Sequence, residues 1–137
     1  MWEKRIEIRW RDLDSSRHVN NAVYLAYLED ARTGWLAETL GPDGDVHGFV
    51  LARIAIDYRR ELTLDDIAVL AGCRLERVGR SSVTTVEEVR TASGELAAEA
   101  EAVLVAWDEN KGSSRPLTDA ERAALTRRTG CAPRSGA

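Results

Sequence analysis

An α+β fold, a five-stranded antiparallel sheet wrapped around one long central helix with a short C-terminal helix after it, is predicted by three observations. From Asn21 to Leu40 the apolar positions recur at spacings of three and four, the period of a helix. One segment before this run and four after it alternate apolar and polar side chains with the period of a strand. The connections between the last four segments carry turn-type residues, so antiparallel hairpins are the economical way to join them.

The first strand is read from Ile6, Ile8 and Trp10, which share one face, against Arg5, Glu7, Arg9 and Arg11 on the other. In the helix, Tyr24, Leu25, Leu28, Ala31, Trp35, Leu36 and Leu40 form the apolar stripe, and Gly41-Pro42 ends it. Val23, Ala26, Tyr27 and Ala37 widen the stripe, which predicts a helix covered by protein on most sides. A loop over Gly44 to Gly48 leads to strands expected at Phe49 to Tyr58, Ile67 to Arg77, Ser82 to Thr91 and Leu96 to Trp107. In the last strand Leu96, Ala98, Ala100, Ala102, Leu104 and Ala106 point one way, a row of small side chains against which a helix axis can lie close. Alanine and glutamate are also good helix formers, so a helix over Gly94 to Val105 is the competing assignment. A terminal helix is expected over Pro116 to Arg128, where Thr118-Asp-Ala-Glu121 matches the capping box. Residues 1–128 then form one domain, and residues 129–137 are expected to be a disordered tail.

Composition narrows the function. The 137 residues are 44% hydrophobic and 31% charged with a formal net charge of −4, which suits a globular protein and provides no global basic field for nucleic acid. The two cysteines, Cys73 and Cys131, support neither a disulfide framework nor a paired-cysteine metal site, and His47 has no companion at metal-ligand spacing. No signal-peptide pattern or membrane-length apolar run occurs, so a cytoplasmic protein without membrane or nucleic-acid partners is expected. No metal and no cofactor are expected.

The chemistry concentrates where Asp12-Leu-Asp14-Ser-Ser-Arg-His18-Val-Asn20-Asn21 runs into the helix. A carboxylate, an imidazole and two amides lie beside a helix N-terminus, whose free N–H groups favour developing negative charge. On these residues alone, an aspartate that caps the helix or orders the loop is the favoured account of Asp14. His18 reads either as a group that tunes the aspartate or as a hydrogen-bonded loop residue. Asn20 and Asn21 read as caps, Glu29 and Arg32 as an intrahelical ion pair, and Tyr24 and Tyr27 as core or pocket wall.

The run Asp12-x-Asp14-x-x-x-His18-Val-Asn-Asn21-x-x-Tyr24-Leu-x-Tyr27-x-Glu29-x-Ala-Arg32 resembles the signature of hotdog-fold thioesterases of the 4-hydroxybenzoyl-CoA thioesterase type. Val78-Gly79-Arg80-Ser81-Ser82 is similar to the turn that opens the fourth strand in these enzymes. The resemblance implies hydrolysis of acyl-CoA or acyl-carrier-protein thioesters, with Asp14 as the essential carboxylate, acting as general base or nucleophile. It further implies the Asn21 main-chain N–H as oxyanion donor, His18 beside them, and Asp12 in an ordering role. A homodimer or tetramer is implied, with each site completed by the partner subunit. For the substrate, Tyr24 is the candidate for the acyl channel, and Arg59, Arg60 and Arg80, with Arg77, for the phosphates of coenzyme A; Ser81 and Ser82 belong to the same substrate-binding set. Ser15-Ser16-Arg17-His18 stands where relatives with a Gly-rich loop have glycine, so the chain is nearer the His-Val-Asn-Asn subgroup associated with long-chain acyl-CoA than the aryl-thioester enzymes. The alternatives within the resemblance are a non-catalytic domain that binds acyl thioesters and a hotdog hydratase or dehydratase.

Overall fold

A computed structural model of the chain describes the backbone of residues 1–131 and the side chains of residues 1–128. In chain order the elements are β1 (Trp2–Glu7), α1 (Asn21–Leu40), β2 (Phe49–Tyr58), β3 (Ala68–Val78), β4 (Ser82–Thr91), β5 (Leu96–Asp108), β6 (Ser113–Ser114) and α2 (Asp119–Cys131). The long strands pair antiparallel in the order β1-β3-β4-β5-β2, so β1 and β2 are the two edges. The two-residue β6, not expected from the sequence, adds to β5 at Trp107 and Asp108. β5 is a strand throughout, which removes the helical assignment for 94–105.

The α1 helix begins where Asn20 supplies a capping oxygen to the Ala22 N–H at 2.8 Å. It ends at Gly41, whose φ of 79° lets the chain turn while its N–H closes on the Ala37 carbonyl. Tyr24, Tyr27, Leu28, Ala31, Trp35 and Leu36 are buried against the sheet. A fully buried leucine such as Leu28 contributes about 1.5–3 kcal/mol relative to leaving it in water. The helix axis passes closest to β3, β1 and β4 rather than β5. The alanine row of β5 is buried as expected but does not seat the axis; β3 instead supplies the small buried side chains Ala71 and Cys73.

Several expectations are corrected. The helix is covered on one side only in the single chain: Ala22, Leu25, Ala26, Glu29, Asp30, Thr33, Ala37 and Glu38 are exposed. The first strand stops at Glu7, and Trp10, expected on its buried face, is 76% exposed. The cause is a single 3-10 turn over Trp10–Asp12, closed when the Asp12 carboxylate takes the Arg9 N–H at 2.9 Å, which breaks the period-two alternation. Ile67, expected to start a strand, closes another such turn at Leu64–Asp66 with φ 66°, and β3 begins after it. Val46–Gly48 likewise forms a short 3-10 turn within the expected loop. Arg32 does not pair with Glu29. It lies on the buried face and makes a two-point ion pair with Glu87 of β4, at 2.8 and 2.9 Å, and Thr85 donates to the same carboxylate at 2.6 Å. The capping box of α2 is present, with Glu121 accepting from the Thr118 N–H and Thr118 from the Glu121 N–H. That helix starts at Asp119 rather than Pro116 and continues to Cys131, so residues 129–131 are helical where a tail was expected. The rest of that expected tail lies outside the described residues.

Candidate active site

The loop between β1 and α1 is built around Asp12. Its carboxylate is buried and accepts from the Arg9 N–H at 2.9 Å, the Tyr27 hydroxyl at 2.8 Å and the Arg9 guanidinium at 3.2 Å. Burial pushes this carboxyl upward, but the Arg9 and Tyr27 hydrogen bonds outweigh it and hold the group below its ordinary value. Burial and the adjacent Asp12 push the Tyr27 phenol well up, so it stays protonated and donates. The Asp12 carbonyl takes the Asn20 N–H at 2.9 Å, tying the start of the loop to the helix cap.

Between these anchors the chain doubles back. Leu13 bridges to Val19, the Asp14 N–H reaches the His18 carbonyl at 2.9 Å, and the Arg17 N–H reaches the Asp14 carbonyl at 3.0 Å. Arg17 adopts a φ of 66° to complete the turn. The Asp14 side chain is exposed and accepts the Ser16 N–H at 2.9 Å through one oxygen. Asp14 is therefore not the helix cap; that position belongs to Asn20. Because the Asn20 side chain takes the Ala22 N–H and its carbonyl takes the Val23 N–H, the Asn21 N–H is left without a partner among the described residues. An uncommitted donor at the start of a long helix suits an anionic oxygen.

The facing wall comes from the end of β2. Arg59 and Arg60 both donate their main-chain N–H to the Ala97 carbonyl, at 2.8 and 3.1 Å. Ala97 lies where the β4–β5 register shifts, between the Val89↔Ala98 and Arg90↔Leu96 pairs. The double acceptance ends the β2 ladder and sends residues 59–62 across the helix start, where the Val19 N–H meets the Leu62 carbonyl at 2.8 Å. Tyr58 donates to the Asn21 carbonyl at 2.9 Å, Tyr24 donates to the Arg60 carbonyl at 3.0 Å, and the two rings meet edge to face at 5.1 Å. His18 Nε2 lies 3.3 Å from the Glu61 carboxylate.

A cavity of about 410 Å³ opens between the two walls, and Asp14, His18, Asn21, Tyr24, Arg59 and Arg60 all line it. Tyr58 and Glu61 line it too, and sequence reasoning passed over both. Tyr58 stands there only as the last residue of a strand and Glu61 is given no reading; their return across α1 gives them a place. Arg80, Ser81 and Ser82 stand apart from this cavity in the single chain. The Arg80 carbonyl takes the Leu117 N–H and the Ser81 carbonyl the Ala106 N–H, at the far end of β5 from Ala97. Arg77 bonds Thr84. Arg59 is paired with Glu99 and Asp57, and Arg60 with Asp66 and Glu95, so the charge of both is largely balanced within the chain. Among the described residues no group of three or more His, Cys, Asp or Glu side chains is placed to hold a metal ion, and no helix is long and apolar enough to cross a membrane.

The family model of the thioesterase-like superfamily matches residues 8–125. The long-chain acyl-CoA thioesterase FadM of Escherichia coli strain K12 is 30% identical over 109 residues, covering 77% of this chain and 83% of FadM. A shorter match of 59 residues, 37% identical, joins 43% of this chain to 13% of the chloroplastic dodecanoyl-[acyl-carrier-protein] hydrolase of Cinnamomum camphora. Among solved structures, a thioesterase from Thermus thermophilus, crystallised with coenzyme A and zinc, superposes with a TM-score of 0.82 at 40% identity over 93% of each chain. With its antiparallel sheet curled around one long helix and its family match running from just after the first strand into the last helix, this chain belongs to the thioesterase-like superfamily and has the hotdog fold.

Proposed function

We propose that the chain hydrolyses acyl-CoA thioesters, with Asp14 as the working carboxylate and the Asn21 N–H as the donor to the carbonyl oxygen. The observation that carries this reading is the meeting of an exposed carboxylate and an unpartnered helix N–H in one cavity. Thioester hydrolysis asks for little more. A thiol of ordinary pKa, about 8.5, leaves without a strong general acid, so a carboxylate and an oxyanion donor suffice. The Asp14 oxygen not held by Ser16 either takes a proton from the attacking water or attacks the carbonyl itself to give a mixed anhydride; both routes use the same geometry. His18, beside Glu61, borders the reacting groups, and Tyr24 walls the acyl side. The tyrosine–tyrosine contact and the Tyr58 bond keep the first helical turn, and so the Asn21 N–H, in place.

A homodimer is part of the proposal. β2, ten residues long from Phe49 to Tyr58, pairs on one edge only among the described residues, and the uncovered side of α1 lies exposed. An open edge strand of this length is a template for another chain. Edge-to-edge association would let Arg80, Ser81 and Ser82, remote from the cavity within one chain, serve the partner's site.

The test is thiol release from short, medium, long and aromatic acyl-CoA thioesters, run beside an Asp14→Asn protein. Turnover by the parent, reduced in the variant by about a hundredfold or more at an unchanged melting temperature, is expected. No release by the parent, or release retained by the variant, overturns the reading. Sedimentation at graded concentrations tests the dimer.

A further inference from the structure

A second cavity, of about 540 Å³, opens where the C-terminal halves of α1 and α2 meet β1 and β3. Its size is that of a small-molecule site. Thr39, which lines it, and Asn21 of the reaction cavity stand at opposite ends of α1, about 27 Å apart along the axis. The cavity also lies at the β1 edge of the sheet, so a dimer formed through β2 leaves it open. Trp2, Trp35, Leu75 and Ala124 supply its apolar lining. Gly34 fixes the Trp2 wall: a Cβ there would collide with the ring, so the indole lies directly on the helix backbone. Two observations point to a ligand. The first is Thr39, 9% exposed, whose hydroxyl is the one buried side-chain oxygen or nitrogen without a hydrogen-bond partner among the described residues. A helical threonine ordinarily satisfies its hydroxyl on a carbonyl of the preceding turn, so an unbonded one is costly unless something else meets it. The second is charge. Arg128 is paired with Glu38 at 2.8 Å and Arg74 with Glu76 at 3.1 Å, whereas Arg127 has no carboxylate partner among the described residues.

We propose that this cavity binds an apolar monocarboxylate, its head held by the Arg127 guanidinium and the Thr39 hydroxyl and its body between the Trp2 and Trp35 rings. The charges select the head group. One uncommitted guanidinium matches one negative charge, and its fork of donors matches the two oxygens of a carboxylate. A dianion such as a phosphate monoester would add charge beside the carbonyl ends of α1 and α2, which disfavour it. Residues 129–137 carry no carboxylate side chain and no large apolar one, which favours a separate molecule as the occupant. Under the proposed function the acid released by hydrolysis is of this class. The inference does not rest on that reading, because the cavity is built without Asp14 or Asn21.

The experiment is calorimetric titration with decanoate, with decanol and decyl phosphate as comparisons. Decanoate should bind about tenfold or more tightly than the alcohol, the effect of one charge-assisted hydrogen bond, and more tightly than the phosphate. Arg127→Glu and Thr39→Val should each weaken decanoate about tenfold and leave decanol unchanged. Thr39→Val removes only an unbonded hydroxyl, so it should melt no lower than the parent, and both variants should release thiol from acyl-CoA at the parent's rate. Equal affinity for decanol and decanoate would show that the head is not read, and tighter binding of the phosphate would assign a different head. Decanoate binding unchanged in both variants would place it in the reaction cavity. Each of these results overturns the proposal, as does no binding by the parent. If the parent releases no thiol, the thioesterase reading fails alone and the titration still decides this cavity.

Discussion

Replacing Glu87 by alanine removes the carboxylate that Arg32 holds inside the fold. The Arg32 side chain is 7% exposed and that of Glu87 fully buried, with 2.8 Å between the closest charged atoms. At an effective dielectric constant of about 20, this separation gives about 6 kcal/mol of attraction. Removing each ion from water costs several kcal/mol, so the intact pair is close to neutral in net stability. Its loss by halves is not. Glu87→Ala leaves a buried guanidinium with no counter-charge and deprives the Thr85 hydroxyl of its acceptor, an expected cost of about 3–5 kcal/mol. For a chain of this length that lowers the melting temperature by about 10 °C or more. Arg32→Met should cost a similar amount, whereas Arg32→Met with Glu87→Met should recover most of it, because two apolar side chains of similar volume need no partners. The assay is thermal unfolding at one fixed protein concentration, so that self-association does not move the midpoint between variants. A double variant as unstable as either single would show that the pair supplies net stability, and one as unstable as the sum of the singles would show that the two residues do not couple; either would refute this reasoning. So would a single variant that melts with the parent.

Tyr27→Phe removes one donor from the buried Asp12 carboxylate and should cost about 1–3 kcal/mol near neutral pH. Because the folded-state value of Asp12 lies below its unfolded one, its contribution is present above the unfolded pKa and lost as pH falls through the folded value. The gap in urea midpoint between parent and variant should therefore shrink as pH is lowered through the carboxylate range. A gap independent of pH would assign the effect to packing. Tyr58→Phe frees the Asn21 carbonyl and should lower kcat/KM about fivefold, equivalent to about 1 kcal/mol, with little change in melting. Burial, followed by the charge of Glu87, pushes the Cys73 thiol well up, so it should resist alkylation in the native protein and react only after denaturation. Native-state labelling of Cys73, located by peptide mapping, would show that the β3 face opens.

The long elements were legible because each carries its own period. The bounds of α1 follow from an Asn-Asn start and a Gly-Pro stop, and β2 and β4 from uninterrupted runs between turn residues. What the sequence hid are features that depend on contacts distant along the chain. Trp10 continues the alternation of Ile6 and Ile8, and only the capture of the Arg9 N–H by Asp12 turns it outward. Arg32 stands at ion-pair spacing from Glu29 on a helical wheel, yet its partner lies 55 residues away on another strand. In the candidate site, the helix-side members declare themselves by motif. Tyr58 and Glu61 have no local signal, since their position depends on where the Ala97 irregularity ends the β2 ladder.

That irregularity makes the reaction cavity a seam between two separately anchored pieces of chain. One piece is moored through Asp12 to Tyr27 of the helix, the other through the Ala97 carbonyl to the start of β5. β5 lends no side chain to the cavity, yet a residue inserted or deleted beside Ala97 would slide one whole wall past the other and part Tyr58 from Asn21. The shape of the cavity is thus adjustable from a strand that lends it no side chain, and under the proposed function this offers variation in acyl preference a route that leaves Asp14 and the Asn21 N–H where they are.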